Sequence, residues 1–356
     1  PPPSREKDPV AFKRGVALMI EPKERDLLLR MIDQFSKMRI LVLGDFVADE
    51  FVDGEISRVS REAPVLILKH RHTEIVPGGG ANAANNLVDL GARTFPFSVV
   101  GRDAQGAHLI QFFRNKGVSA AGILIDSSYS TTTKSRILAG SAHTTHQQVV
   151  RIDRQAPSPP AKEVLTRLFE KASQIAPEMD AILVSDYGSG MITSAAVATL
   201  RARTQNRGIP LNVDSRYQIH RFKSFTAATP NEAEVEAALG TAIGNNLKAL
   251  DGAGKKLIKQ LRTKALLITR GKEGMALFEP GRPTKHLSIY GTDQVADVTG
   301  AGDTVIAVFT LALACGASFF QAARLSNYAG GLVVMKHGTA TVRRDELIAA
   351  IDSDTR

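Results

Sequence analysis

Short apolar runs alternate with stretches of helical periodicity along most of this 356-residue chain. Residues 39–43 read as a buried strand that Gly44-Asp45 ends, and similar runs fall at 95–100, 181–185, 211–214 and 265–269. Between them, residues 104–115, 162–173 and 193–204 carry apolar positions at helical spacing. Strands that are apolar throughout need cover on both faces. The alternation therefore predicts an α/β fold, a doubly wound, mostly parallel sheet flanked by helices. Residues 50–70 and 131–153 break this rhythm with strand-type alternation. They are expected to be antiparallel strands forming a small β lid over the crevice, although edge strands of the main sheet would look the same. Residues 1–36, which begin with three prolines, predict a tail leading into a surface helix over 24–35, and 37–356 predict one domain. The run 305–317 is too short to span a bilayer and reads as a buried helix.

Composition narrows the partners. The net charge is +9, but basic residues are interspersed with acidic ones and no basic tract or nucleic-acid motif occurs. That balance favours small anionic substrates and argues against nucleic acid. A single cysteine, Cys315, lies in an apolar run, and no basic segment followed by an apolar one opens the chain. A cytoplasmic protein without a membrane partner is expected. The eight histidines, His143 and His146 among them, show no metal-ligand spacing. There is no Gly-x-x-x-x-Gly-Lys-Ser/Thr loop and no Gly-x-Ser-x-Gly elbow.

The most informative stretch is Asp297-Val298-Thr299-Gly300-Ala301-Gly302-Asp303. Its small residues let backbone approach a phosphate, and a helix starting near Asp303 would aim unpaired N–H groups and its positive dipole end at the same oxygens. Asp303 could then take a proton from an attacking hydroxyl. A tight turn with Asp303 as N-cap is the plainer alternative. A second cluster, Pro77-Gly78-Gly79-Gly80-Ala81-Asn82, leads into a small-residue helix where Asn82 suits a sugar hydroxyl or a cap. Asn231 and Glu234, three apart at a helix start, suit either Mg²⁺ held through water or an N-cap with an acidic first turn. Thr269, Gly271 and Gly274 suit a phosphate cradle or a hairpin, and Asp45 and Asp49 follow the first strand where hydroxyls are recognised.

In this order the motifs resemble those of the ribokinase-like, or PfkB, carbohydrate kinase family, over roughly residues 39–343. The resemblance implies ATP as phosphoryl donor, with Mg²⁺ and K⁺ as cofactors. It assigns the Gly300-Ala301-Gly302 amides to an anion hole and Asp303 to the catalytic base. Asn231 and Glu234 would organise Mg²⁺ and phosphates, with Thr269, Gly271, Gly274 and Thr299 at ATP. Asp297 and the Thr299 carbonyl would border a monovalent-cation site, and Asp49, Gly79, Gly80 and Asn82 would meet the sugar. Local runs are most similar to the subgroup acting on D-glycero-D-manno-heptose 7-phosphate: Ser57-Arg58-Val59-Ser60, Thr133-Lys134-Ser135-Arg136, Arg151-Ile152-Asp153 and Ser185-Asp186-Tyr187-Gly188. Arg58, Lys134, Arg136 and Arg151 supply cations suited to a phosphorylated sugar, with Asp45 and Asp153 beside them.

Two lysines usual in that subgroup are missing. Ser189 follows Gly188, and Asp214-Ser215-Arg216 replaces an Asp-Pro-Lys run, with Arg216 able to restore one cation. The chain ends at Arg356 without the nucleotidyltransferase motif many relatives carry, so a stand-alone kinase is expected. A homodimer through the lid is a family-level expectation. Another kinase of the family, a non-catalytic sensor and a dinucleotide-binding oxidoreductase are the alternative readings of these motifs.

Overall fold

The computed structural model describes residues 20–141, 146–291 and 296–354, and the predicted tail over 1–19, like His143, lies outside them. The helices are α1 Pro22–Gln34, α2 Gly80–Asp89, α3 Ala104–Asn115, α4 Lys162–Ile175, α5 Ser194–Thr204, α6 Glu232–Leu239, α7 Leu247–Leu261, α8 Ala301–Ala314, α9 Phe319–Val333 and α10 Arg344–Ser353. The strands are β1 Arg39–Gly44, β2 Phe46–Val59, β3 Leu66–Gly79, β4 Arg93–Gly101, β5 Ile123–Asp126, β6 Thr132–Gly140, β7 Gln147–Arg154, β8 Ala181–Asp186, β9 Leu211–Ser215, β10 Ala227–Ala228, β11 Ala265–Thr269, β12 Met275–Phe278 and β13 Lys285–Leu287.

Among the described residues, nine strands form one sheet in the order β13-β12-β11-β10-β9-β8-β1-β4-β5, parallel except for β12 and β13. Its central strands are apolar on both faces because both are covered. Ile40 and Val42 of β1 join the core under α2, α8 and α9, while Leu41 and Leu43 join the core under α4, α5 and α7. Parallel strands place their carboxyl ends along one rim, where ligands bind in such sheets. The termini of β1, β8, β9 and β11 carry Asp45, Tyr187, Asp214 and Thr269 to that rim.

A second sheet, β3-β2-β6-β7, stands at the same rim as the expected lid. It is two antiparallel hairpins joined by parallel pairing of β2 with β6, so the central seam departs from the all-antiparallel expectation. The reason is topological: β2 and β6 belong to separate hairpins that leave the core in the same direction. The predicted surface helix α1 is amphipathic, but its apolar face is part of the core. Leu28, Ile32 and the following Phe35 are fully buried, and Ile20 N donates to Asp354 O at 3.1 Å beyond the end of α10. Leu28→Ala should therefore lower stability by about 2–5 kcal/mol in urea unfolding; a loss below about 0.5 kcal/mol would mean that α1 is dispensable to the core.

Candidate active site

The site is organised by α8. Residues Asp303 to Leu313 are buried, as an apolar-all-round helix must be, and this carries the Asp303 carboxyl inside the rim at 2% exposure. Gly300 caps the helix at φ +78°, a left-handed conformation, and a Cβ there would meet Asn82 Nδ2 at 2.5 Å. Only glycine lets the two motifs close on each other. Asn82 Nδ2 donates to Asp303 Oδ2 at 3.1 Å and to Gly300 O at 3.3 Å. From the end of β8, the Tyr187 hydroxyl donates to Asp303 Oδ1 at 2.9 Å. Asn82 is itself braced by Asn86, whose Nδ2 donates to Asn82 O at 3.0 Å and whose Oδ1 accepts from Thr304 Oγ1 at 3.1 Å.

Burial pushes the Asp303 carboxyl up to about 7, with the Asn82 and Tyr187 hydrogen bonds pulling the other way. A carboxyl poised near neutrality at the start of a helix can act as a general base. Tyr187 is raised well above its ordinary value, mainly by burial and then by the Asp303 charge, so it stays a proton donor. The first helical turn adds the amides of Gly302 and Asp303, which lack intrahelical acceptors. Gly302 is exposed, and a Cβ there would meet nothing within 4 Å. The Ala301 amide already donates to Val298 O at 3.2 Å, so two of the helix-start amides are better placed for an anion than the third.

The lid brings cations to this point. Arg136 is buried and pairs with Asp49 at 2.7 Å, stacked 5.2 Å from the Phe51 ring. Asp49 also accepts from Thr339 Oγ1 at 2.9 Å, and a Cβ on Gly78 would lie 2.4 Å from Asp49 Oδ2, so the glycine makes room for that carboxylate. Lys134 sits 5.0 Å over the Tyr187 ring, lowered by burial against the attraction of Asp49, with Arg216 as a neighbouring like charge. Arg151 and Asp153 lie opposite Arg136 and Lys134 in the lid register, yet on the edge strand they pair with each other at 2.8 and 3.0 Å. They are not brought to Asp303. Arg58 lies exposed toward the far end of β2.

Asp45 is fixed differently. It accepts from Tyr187 N at 2.7 Å, from Ser189 N at 3.2 Å and from the Ser189 hydroxyl, so the residue standing in for a lysine is the one that binds this carboxyl. Burial raises Asp45 to about 6. Gly79 and Gly80 turn the chain directly beside it, and Gly80 N donates to Asp45 O at 2.9 Å. A cavity of about 390 Å³ opens here between the lid and the rim, bordered by Asp45, Tyr129, Thr132, Tyr187 and Tyr217.

Along the rim, Asn231 and Glu234 make a reciprocal capping box at 2.9 Å each, so the cap reading holds whatever else they do. Asn231 bridges to Thr269 at the end of β11, and Gly271 and Gly274 form the tight turn of the β11–β12 hairpin. Glu234 and Asp214 are both raised, by burial first, and for Asp214 next by the Glu234 charge. Arg216 is a charged neighbour of both, and their carboxyl oxygens are the donor type that a hydrated Mg²⁺ takes. Asp297 accepts from Thr299 N at 2.9 Å and from Gly338 N at 3.1 Å. The sequence did not single out Tyr187, Asn86, Thr304 or Thr339 as site residues; Asn82 to Asn86 at helical spacing was the available signal.

Comparison with known proteins agrees with this geometry. The family described as "pfkB family carbohydrate kinase" matches residues 39–346. The "Bifunctional protein HldE" of Geobacter sulfurreducens is 40% identical over 329 residues, covering 92% of this chain and 66% of the relative. That of Geobacter metallireducens is 39% identical over 322 residues, covering 89% and 64%. The chain thus spans just under two thirds of the length of these relatives. Among solved structures, an Arabidopsis thaliana ribokinase complexed with ribose and ATP superposes with a TM-score of 0.68 at 21% identity, covering 88% of this chain and 98% of that one. Escherichia coli phosphofructokinase-2 in complex with potassium gives 0.70 at 18% identity, covering 90% and 99%. These two share the ribokinase-like fold. With the family pattern covering most of its length, the chain belongs to the PfkB family of carbohydrate kinases.

Proposed function

We propose that this chain transfers the γ-phosphoryl group of ATP to the anomeric hydroxyl of D-glycero-D-manno-heptose 7-phosphate, giving the 1,7-bisphosphate. The observation that carries the reading is the buried Asp303 carboxyl at the start of α8, held by Asn82 and Tyr187 and flanked by Lys134. Asp303 takes the hydroxyl proton as the sugar oxygen attacks. The Gly302 and Asp303 amides and the positive end of α8 stabilise the charge on the phosphoryl oxygens, an arrangement that needs no reorganisation during transfer. Thr269, Gly271 and Gly274 border the nucleotide. Asn231, Glu234 and Asp214 would hold Mg²⁺ through water, which neutralises phosphate charge, and Asp297 with Thr299 would hold K⁺. Asp49 and Asn82 meet sugar hydroxyls, and Lys134, Arg136 and Arg216 favour an acceptor that already carries a phosphate. Closure of the lid excludes water from the phosphoryl group.

The lid also supports a homodimer. Val150 and Ile152 share one face of β7, the face opposite Arg151 and Asp153, and are 48% and 45% exposed. A second copy would cover them.

ADP release with Mg²⁺ and K⁺, measured over heptose 7-phosphate, fructose 6-phosphate, ribose, adenosine and no sugar, should be selective for the heptose phosphate. Preference for another sugar would overturn the substrate, and no turnover would overturn the reaction. Asp303→Asn should lower kcat by about 10²–10⁴-fold. The same variant has an opposite effect on stability. A carboxyl raised from 3.8 to about 7 by folding contributes stability that is fully present below the lower value and is lost as pH rises through the upper one. The melting temperature of Asp303→Asn relative to the parent should therefore climb between pH 4 and pH 8; a constant difference would refute the raised carboxyl. Ile152→Lys should convert a dimer to a monomer in light scattering, and an unchanged mass would exclude the lid as interface.

A further inference from the structure

Away from the Asp303 cleft, the end of α6, the loop around residues 219–223 and the outer face of α7 enclose an open cavity of about 570 Å³. Five of its lining residues are basic: His220, Lys223, Lys256, Lys259 and Arg262. No acidic residue lines it among the described residues. None of the four Lys and Arg side chains has a carboxylate partner there, whereas the adjacent Lys255 does, in Asp251 at 3.9 Å. Cations at the end of α7 are explained in part by the helix dipole, which favours Lys259 and Arg262. It does not account for Lys223 and His220, which come from another segment, or for Lys256 a turn earlier.

The backbone is strained to build this cluster. Ser224 and Arg262, at φ 62° and 53°, are the two non-glycine residues with positive φ among the described residues, and both border the cavity segments. The Ser224 amide donates to Leu261 O at 2.7 Å, which clamps the chain carrying Lys223 against the end of α7. His220 Nε2 lies 2.8 Å from Ala238 O, fixing the same loop to α6. The result is four Lys and Arg side chains around one concavity that no carboxylate lines among the described residues. Such an arrangement is relieved by a bound anion. More than one phosphoryl group is needed to match it, and the volume falls in the range of small-ligand sites, with Leu239 offering apolar contact.

We propose that this cavity binds a small anion carrying two or more phosphoryl groups, at a site distinct from the Asp303 cleft. Calorimetric titration of the whole chain with inorganic tripolyphosphate tests this, with a double variant separating this cavity from the Asp303 cleft. One saturable site is expected, weakening as salt rises from about 50 to 200 mM. The double variant Lys256→Gln/Lys259→Gln should bind about tenfold or more weakly with an unchanged melting temperature, because two charge-assisted contacts are lost. Equal affinity in the variant, or no saturable binding in the parent, would overturn the site. Tighter capture of a short RNA or of phosphatidylserine vesicles, lost in the same variant, would overturn the small-anion assignment.

Discussion

An ionisable carboxyl at the start of a helix that is otherwise apolar is the constraint around which this molecule is arranged. Asp303 has almost no water, so its charge must be held by neighbours, and each neighbour comes from a different part of the chain: Asn82 from α2, Tyr187 from the end of β8 and Lys134 from the lid. A parallel sheet suits this demand because it delivers several strand ends to one rim. Rigid packing then fixes them. The apolar sides of α2 and α8 are buried in one core, and the Asn86–Thr304 contact ties the two helices beside the carboxyl. In energetic terms the site opposes folding at neutral pH, and the surrounding core must outweigh it.

The lid is coupled to the same carboxyls. β2 starts within the buried rim at Phe46 and runs outward to Val59, so one strand connects the base of the cleft with its cover. Arg136 and Asp49 are both buried and paired, which makes their geometry costly to lose. Ser189 changes the balance at Asp45. A hydroxyl and two amides meet the carboxylate, and burial still leaves Asp45 raised to about 6. Arg216 stacks 5.8 Å from the Tyr217 ring and Lys134 5.0 Å from the Tyr187 ring, so both cations border the pocket that Asp45 lines.

Much of the fold was legible because its signals are local. Strand β11 and helix α3 have the bounds that periodicity predicts, and β1, β8 and β9 differ by a residue, since runs apolar on both sides define buried strands. The short β10 and β13 were not visible, being too brief for a pattern and defined by pairing alone. The parallel seam between β2 and β6 depends on which hairpins meet in space, something no local pattern encodes. In the site, glycine spacing pointed to Gly300 and Gly78 because a missing Cβ is a sequence-visible consequence of close approach. Tyr187 was less visible, since a tyrosine after a strand has many uses and only the tertiary structure brings its hydroxyl to Asp303. Asn231 and Glu234 show the reverse case: their spacing left Mg²⁺ and an N-cap open, and a capping box stands at the rim beside Thr269.

The central claim is that Asp303 is the base and that Tyr187 tunes it. Its most direct test is the pH dependence of kcat with heptose 7-phosphate in the parent and in Tyr187→Phe, where comparing the two enzymes cancels the titration of the substrate's own phosphate. Removing a donor that stabilises the carboxylate should move the acidic limb, near pH 7 in the parent, to higher pH. An acidic limb that stays in place, or one that moves to lower pH, would contradict the account.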